Sequence, residues 1–194
     1  MVPATPTSDE SQSPLSPQQQ EELALATDRS KKILAAAKVA TFNGWTLGVI
    51  GGVSILFGLF SLTGFIVGVF LVIVARNEFR GRALIRHLEP RGPLLLAKNQ
   101  IGLIGLVTVY CLWSMYTTVA NPSSQSRELE ELVGLPSGSV TDLTLMVYGV
   151  VIVLTLIVQG LNARYYFVRV QQLRDHLAQT PKWIVDMQRI TRDG

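Results

Sequence analysis

The longest feature of the hydrophobic pattern runs from Phe42 to Ala75, FNGWTLGVIGGVSILFGLFSLTGFIVGVFLVIVA, with no Asp, Glu, Lys, Arg or His inside it. As one α-helix this stretch would measure about 51 Å at 1.5 Å per residue, whereas the hydrocarbon core of a bilayer is about 30 Å thick. Two spans joined by a tight turn account for the excess, and Gly58, Ser61 and Gly64 supply turn-permissive residues near the middle. Residues 101–119 and 143–163 form two further apolar runs, each long enough to cross. The pattern predicts an all-α integral membrane protein with four transmembrane helices, at about 39–57, 62–76, 101–119 and 143–163, arranged as two hairpins.

The polar segments divide the rest of the chain. Residues 1–16, with Pro3, Pro6 and Pro14 among Ser, Thr, Asp and Glu, read as a disordered tail without a secretory signal, so residues 17–194 make up the membrane domain. Ser16, Pro17 and Gln19 fit an N-cap, a first helical position and a capping box. The helix they open carries Leu23, Leu25, Ile33 and Leu34 among charged residues and runs through Lys38 into the first span, where Trp45 suits the headgroup level. After the second span, RNEFRGRALIRHLEPRG reads as a basic loop. Between the third and fourth spans lies an acidic loop, in which Ser126 is placed to cap a short helix ending at Gly134. Beyond Arg164, the stripe Tyr166, Val170, Leu173 and Leu177 continues the last helix. Thr180 and Pro181 then start another helix, with Trp183, Ile184, Met187 and Ile190 opposite Lys182, Asp186 and Arg189. These amphipathic segments over 164–194 are expected on the cytoplasmic side, docked on the membrane surface or on other cytoplasmic parts of the chain.

Composition agrees with the pattern: 48% of residues are hydrophobic and only 16% charged. The net charge of +3 is no nucleic-acid signal, because the Lys and Arg residues flank apolar runs instead of clustering on a soluble unit. Arg29, Lys31, Lys32 and Lys38 precede the first span, Arg76 to Lys98 separate the second from the third, and Arg164 to Arg192 follow the fourth, while Arg127 alone lies on the other side. Retention of basic residues in the cytoplasm therefore places both termini and the basic loop inside and the acidic loop outside. Compact hairpins without sorting signals suit a bacterial inner (plasma) membrane. The single Cys111 allows no intrachain disulfide.

Candidate chemistry is sparse. Gly44, Gly48 and Gly52 stand four residues apart, and Gly64 and Gly68 repeat the spacing, which would let neighbouring helices approach closely. Tyr148, Thr155, Gln159 and Asn162 share one face of the fourth span and suit interhelical hydrogen bonds or, as an alternative, a water path. ARNEFRGRALIR from Ala75 and ARYYFVRVQQLR from Ala163 echo each other, with Arg76 matching Arg164 and Phe79 matching Phe167, and the two histidines, His87 and His176, match after one insertion. Ala37-Lys38 and Ala97-Lys98 correspond ahead of each hairpin. The echo reads as a tandem duplication of a two-helix unit; the plainer alternative is that any helix leaving a membrane collects Arg and aromatics. No catalytic, cofactor-binding or metal site is expected, and no ionisable residue falls within the apolar runs, which disfavours a proton relay or an intramembrane enzyme. The expected function is a non-enzymatic interaction module, a scaffold or subunit of a membrane complex. Its partners would be another protein or its own copies, with anionic lipid headgroups at the basic cytoplasmic rim. The alternative is a small channel or transporter formed by an oligomer.

Overall fold

The structure, a computed structural model, describes residues 15–121 and 124–193. Among these the regular elements are helices: α1 (Pro17–Gly58), α2 (Leu62–Arg86), α3 (Arg91–Ala120), α4 (Ser124–Val133), α5 (Ser139–Gln179) and α6 (Lys182–Asp193). α1, α2, α3 and α5 are each long and apolar enough to cross a membrane, which points to a multi-pass membrane protein. The tail expected at residues 1–16 lies outside the described residues except for Leu15 and Ser16.

α1 begins as its sequence predicts. The Ser16 hydroxyl accepts from the Gln19 amide at 3.3 Å, and Gln19 Oε1 accepts from the Ser16 amide at 2.9 Å, while Pro17 occupies the first turn, where its missing N–H is no loss. The helix then runs 42 residues, about 63 Å, without a break. Its buried positions include Ala26, Ser30, Ile33, Ala37, Ala40, Gly44, Gly51 and Gly58. With half-buried Leu47 and Ser54 they form one seam in alternating steps of four and three, the 3.5-residue period that keeps a face on a partner helix.

Small residues in that seam let α2 turn back along α1 at short range. A Cβ at Gly51 would stand 3.0 Å from both Leu71 Cβ and the Val72 nitrogen, and one at Gly68 would stand 2.7 Å from the Ile55 nitrogen and 2.8 Å from Ile55 Cγ1. The turn between them uses Ser61, whose side chain accepts from the Gly64 amide at 3.4 Å and starts α2. Gly58 is buried where it meets the backbone of Gly64 and Phe65.

The stretch read as a basic loop is not one. α2 continues through Arg86 and α3 starts at Arg91, leaving only residues 87–90 outside a helix. The helix persists because Val74, Ala75, Glu78, Gly81 and Ile85 keep its inner face buried while Arg76, Arg80 and Arg86 stay exposed. It ends in a Schellman arrangement, with the Glu89 amide donating to Leu84 O at 2.9 Å and the Leu88 amide to Ile85 O at 3.0 Å. Leu88 has φ 56, a region that normally selects glycine and disfavours an L-residue by roughly 1–2 kcal/mol. Its side chain is fully buried, a gain of about 1.5–3 kcal/mol that offsets the strain.

α3 and α5 pack along each other, and α2 packs against α3. One core, including Ile33, Ala37, Ile85, Leu96, Tyr166, Leu173 and Val185, joins the basic ends of α1, α2, α3 and α5 with α6. A smaller one around Leu71, Val74 and Leu103 continues into the apolar runs. Outside these cores the apolar helices face outward, as Phe42, Val49, Trp113, Val150 and Leu154 do. That arrangement suits a lipid solvent.

Three local expectations shift. α4 is already helical at Ser124, so Ser126 lies inside it and not at its cap. Glu130 of α4 instead reaches across the loop, accepting from the Gly138 amide at 3.0 Å and the Val140 amide at 2.9 Å, and so caps the start of α5. In α6 the inner face is Ile184, Val185 and Gln188, while Met187 and Ile190 of the expected stripe are exposed. Thr180 does not cap α6. Its hydroxyl meets His176, and the carbonyl of Pro181 accepts the first helical bonds.

The α1–α2 seam predicts a contrast between two glycines. Gly68→Leu forces backbone against side chain and should cost about 1–3 kcal/mol, read as a lower midpoint of thermal unfolding in detergent. Gly52→Leu, where a Cβ would meet nothing within 4 Å, should leave that midpoint nearly unchanged.

Candidate functional site

The inner face of α2 places a carboxylate where four helices meet. Glu78 is fully buried, one turn beyond Ala75. Its Oε1 accepts from Asn99 Nδ2 at 2.8 Å and from Gln100 Nε2 at 2.7 Å, and its Oε2 accepts from the Tyr166 hydroxyl at 3.5 Å. Asn99 also donates to Val74 O at 3.0 Å and receives Asn77 Nδ2 at 3.2 Å, while Asn43 Nδ2 of α1 reaches the Tyr166 oxygen at 3.5 Å. α1, α2, α3 and α5 are thereby tied to one centre.

All of its partners are neutral. No Lys or Arg pairs with Glu78 among the described residues. Hydrogen bonds to a charged group contribute about 1.5–3 kcal/mol each, and leaving a buried donor without its acceptor costs about 1–3 kcal/mol. The cluster therefore holds helices in register more than it adds net stability. The described residues offer no group of three or more His, Cys, Asp or Glu that would hold a metal ion. Gln100 Oε1 is buried and without a hydrogen-bond partner among the described residues, so one acceptor remains open beside the carboxylate.

Treating residues after Arg76 as loop hid Glu78 from the sequence reading. The phase was available, because Leu71, Val74, Ala75 and Glu78 follow one helical face, and Asn99-Gln100 is a polar pair at the mouth of the third apolar run.

A second polar group lies at the basic end, beyond the apolar run of α5. His176 is buried, with Nε2 at 3.3 Å from Gln188 Oε1 of α6 and Nδ1 at 3.4 Å from Thr180 Oγ1. Burial pushes its imidazole below the usual histidine range; the bond to Gln188 acts the other way, and Arg29 and Arg192 push it lower. His87 is exposed and contributes its carbonyl to Arg189 Nε at 3.0 Å. The two histidines thus have different surroundings.

The glycine candidates separate by face. A Cβ at Gly44 would approach Phe79 Cζ to 3.1 Å and Glu78 Cβ to 3.2 Å, whereas one at Gly48 would make an ordinary 3.7 Å contact with Ala75 and one at Gly52 none. Gly64 and Gly68 both meet α1, at Gly58 and at Gly51 and Ile55. Close approach thus follows Gly44, Gly51 and Gly58 at seven-residue spacing. Tyr148, Thr155, Gln159 and Asn162 are all half-buried on the side of α5 that carries Ala163 and Tyr166, and Tyr148 meets Tyr110 of α3 edge to face at 6.2 Å. The structure does not join these four to the Glu78 cluster by a hydrogen bond among the described residues.

Comparison with known proteins adds no relative: no family model, no curated protein and no solved structure matches this chain.

Two outcomes follow from these clusters. Glu78→Ala leaves the Gln100 amide unpaired and Asn99 Nδ2 with Val74 O alone, and should lower stability in detergent by about 2 kcal/mol or more, whereas Tyr166→Phe removes two long bonds, to Glu78 and from Asn43, and should cost about 1 kcal/mol. Thermal unfolding of the two variants ranks them. For His176, the unfolded chain binds the extra proton as pH falls through about 6.5, while the buried imidazole resists it, so stability is lost on acidification. The surrounding charges are Asp28, Arg29 and Lys32 of α1, Asp175 of α5 and Arg192 of α6. Hydrogen-exchange protection of α6, corrected for the intrinsic exchange rate, should fall between about pH 7 and pH 5.5, and His176→Gln should flatten that response.

Proposed function

We propose that the protein is a non-enzymatic interaction module of a bacterial inner membrane, a scaffold or subunit that assembles with a partner protein or its own copies. Both termini and the basic ends of the helices lie in the cytoplasm against anionic headgroups, and nucleic acid plays no part. The observation that carries this reading is the Glu78 junction. Its carboxylate is met by neutral side chains of its own bundle, as a structural tie would be, while the outer faces of the apolar helices stay uncovered by the chain itself.

The bundle in this reading is a tandem duplication of a two-helix hairpin. Burial supports the correspondence: Ala75 and Ala163, Glu78 and Tyr166, and Ile85 and Leu173 are equivalent and buried in both copies. Ahead of them, Ala36 and Leu96, Ala37 and Ala97, Ala40 and Gln100, and Gly51 and Cys111 are buried in α1 and α3 at one constant offset. Glu78 and Tyr166 are also hydrogen-bonded partners, which supports the reading because a repeat axis would bring equivalent positions together.

A channel or transporter formed between copies is the second reading, favoured by the position of Glu78 on a membrane-crossing helix, where ionisable groups often mark ion paths. The readings separate by flux. Proteoliposomes of the pure protein should show no solute flux, and crosslinking in membranes should capture copies or a constant partner. Reproducible flux that Gln159→Leu abolishes with folding intact would overturn the scaffold. On a Cys111→Ala background, Thr63→Cys and Leu132→Cys should react with an impermeant thiol reagent on intact cells and Gln172→Cys should not; the reverse pattern would refute the orientation.

A further inference from the structure

Two adjoining grooves of about 300 and 330 Å³ open between α1, α2 and α6, and both are lined by Arg82, Arg86 and Arg192. Lys38 adds a fourth cation from α1, and among the described residues no Asp or Glu lines either groove. None of these four makes an ion pair among the described residues. Arg192 is fixed in place, donating to Arg86 O at 3.4 Å and to Ser30 Oγ at 3.3 Å, and it is half-buried. Burial and the neighbouring Arg86 charge both push its guanidinium below the usual arginine range. Leu34, Ala37 and Phe79 line the same walls, so the basic groups stand beside apolar ones.

Depth decides the ligand. Lys38 stands immediately before the uncharged run, one helical turn ahead of Phe42, and Arg82 follows the last residue of that run, Ala75, by two turns. Both cations therefore stand at headgroup level if the run crosses the bilayer. We propose that this groove is a specific site for the phosphate of an anionic phospholipid, clamped by Arg82, Arg86, Arg192 and Lys38, with the acyl chains leaving past Thr41 and Phe79 toward the apolar run. The proposal rests on the membrane reading above and sharpens it, from a basic rim that attracts any anionic surface to one groove that selects a headgroup. Guanidinium forks suit phosphate oxygens in pairs.

The test is competitive lipid retention by the full-length protein in neutral detergent, read by native mass spectrometry with phosphatidylglycerol and phosphatidylcholine at equal concentration. Phosphatidylglycerol should be retained in preference, and Arg86→Gln or Lys38→Gln should each lower that preference by about fivefold. Arg76→Gln and Arg80→Gln, exposed on α2 outside the groove, remove equal charge and should change it little. Lys38 is exposed on α1, away from the α2 terminus, so its variant keeps the fold; circular dichroism melts verify this for each variant. Equal loss in all four variants would overturn the site in favour of a diffuse rim. Displacement of the lipid by millimolar inorganic phosphate would overturn it in favour of a soluble anion. Absence of lipid preference in a protein that still assembles in membranes would refute the groove alone and leave the interaction module standing.

Discussion

Close approach of α1 and α2 along small residues is the constraint on which the rest of the structure depends. In lipid no hydrophobic force drives two apolar helices together, so they associate where backbones come near enough for dense dispersion contacts. Gly44, Gly51 and Gly58 provide that on α1, and Gly64 and Gly68 on α2. The same seam, continued by Ala40, Ala37, Ile33, Ser30 and Ala26, carries α1 past the apolar run into the charged end of the bundle. One register therefore serves two solvents: glycine where the surroundings are lipid, alanine and isoleucine where burial from water can contribute.

That register delivers the polar junction. Gly44 lies against Glu78 and Phe79, which lets α2 present its carboxylate inward to Asn99, Gln100 and Tyr166. An unpartnered carboxylate at such a place would be very costly, and a satisfied one strongly prefers the arrangement that satisfies it. Sliding any of these helices by one turn would break several hydrogen bonds together. The junction thus gives the bundle a single alignment, which dispersion between smooth apolar faces would not.

At the basic end the chain closes on itself through α6. Arg189 and Arg192 donate to the carbonyls of His87 and Arg86, where the last carbonyls of α2 have no helical N–H donors, and cations there also complement the helix dipole. Ile184, Val185 and Gln188 face inward, with Gln188 on His176. The C-terminal segment is consequently a wall of the bundle, and it supplies one of the cations that converge on the groove between α1 and α2.

What the sequence by itself determined is whatever depends on short range and on solvent. Uncharged runs long enough to cross a bilayer marked the four long helices; Ser16, Pro17 and Gln19 marked the start of α1, and Gly58 and Ser61 the turn before α2. The stripe Tyr166, Val170, Leu173 was visible as a buried face because its period is intrinsic to the helix. Only the tertiary structure decided that residues 76–86 stay helical, that Gly51 packs while Gly52 does not, and that Glu78 meets Asn99, Gln100 and Tyr166. The reason is physical: charge and hydropathy report the average solvent of a segment, whereas the partner of one side chain depends on how several helices rotate about their axes. About 13° per residue separates a 3.5-residue seam from a four-residue one, and that choice is made by the packed partner helix.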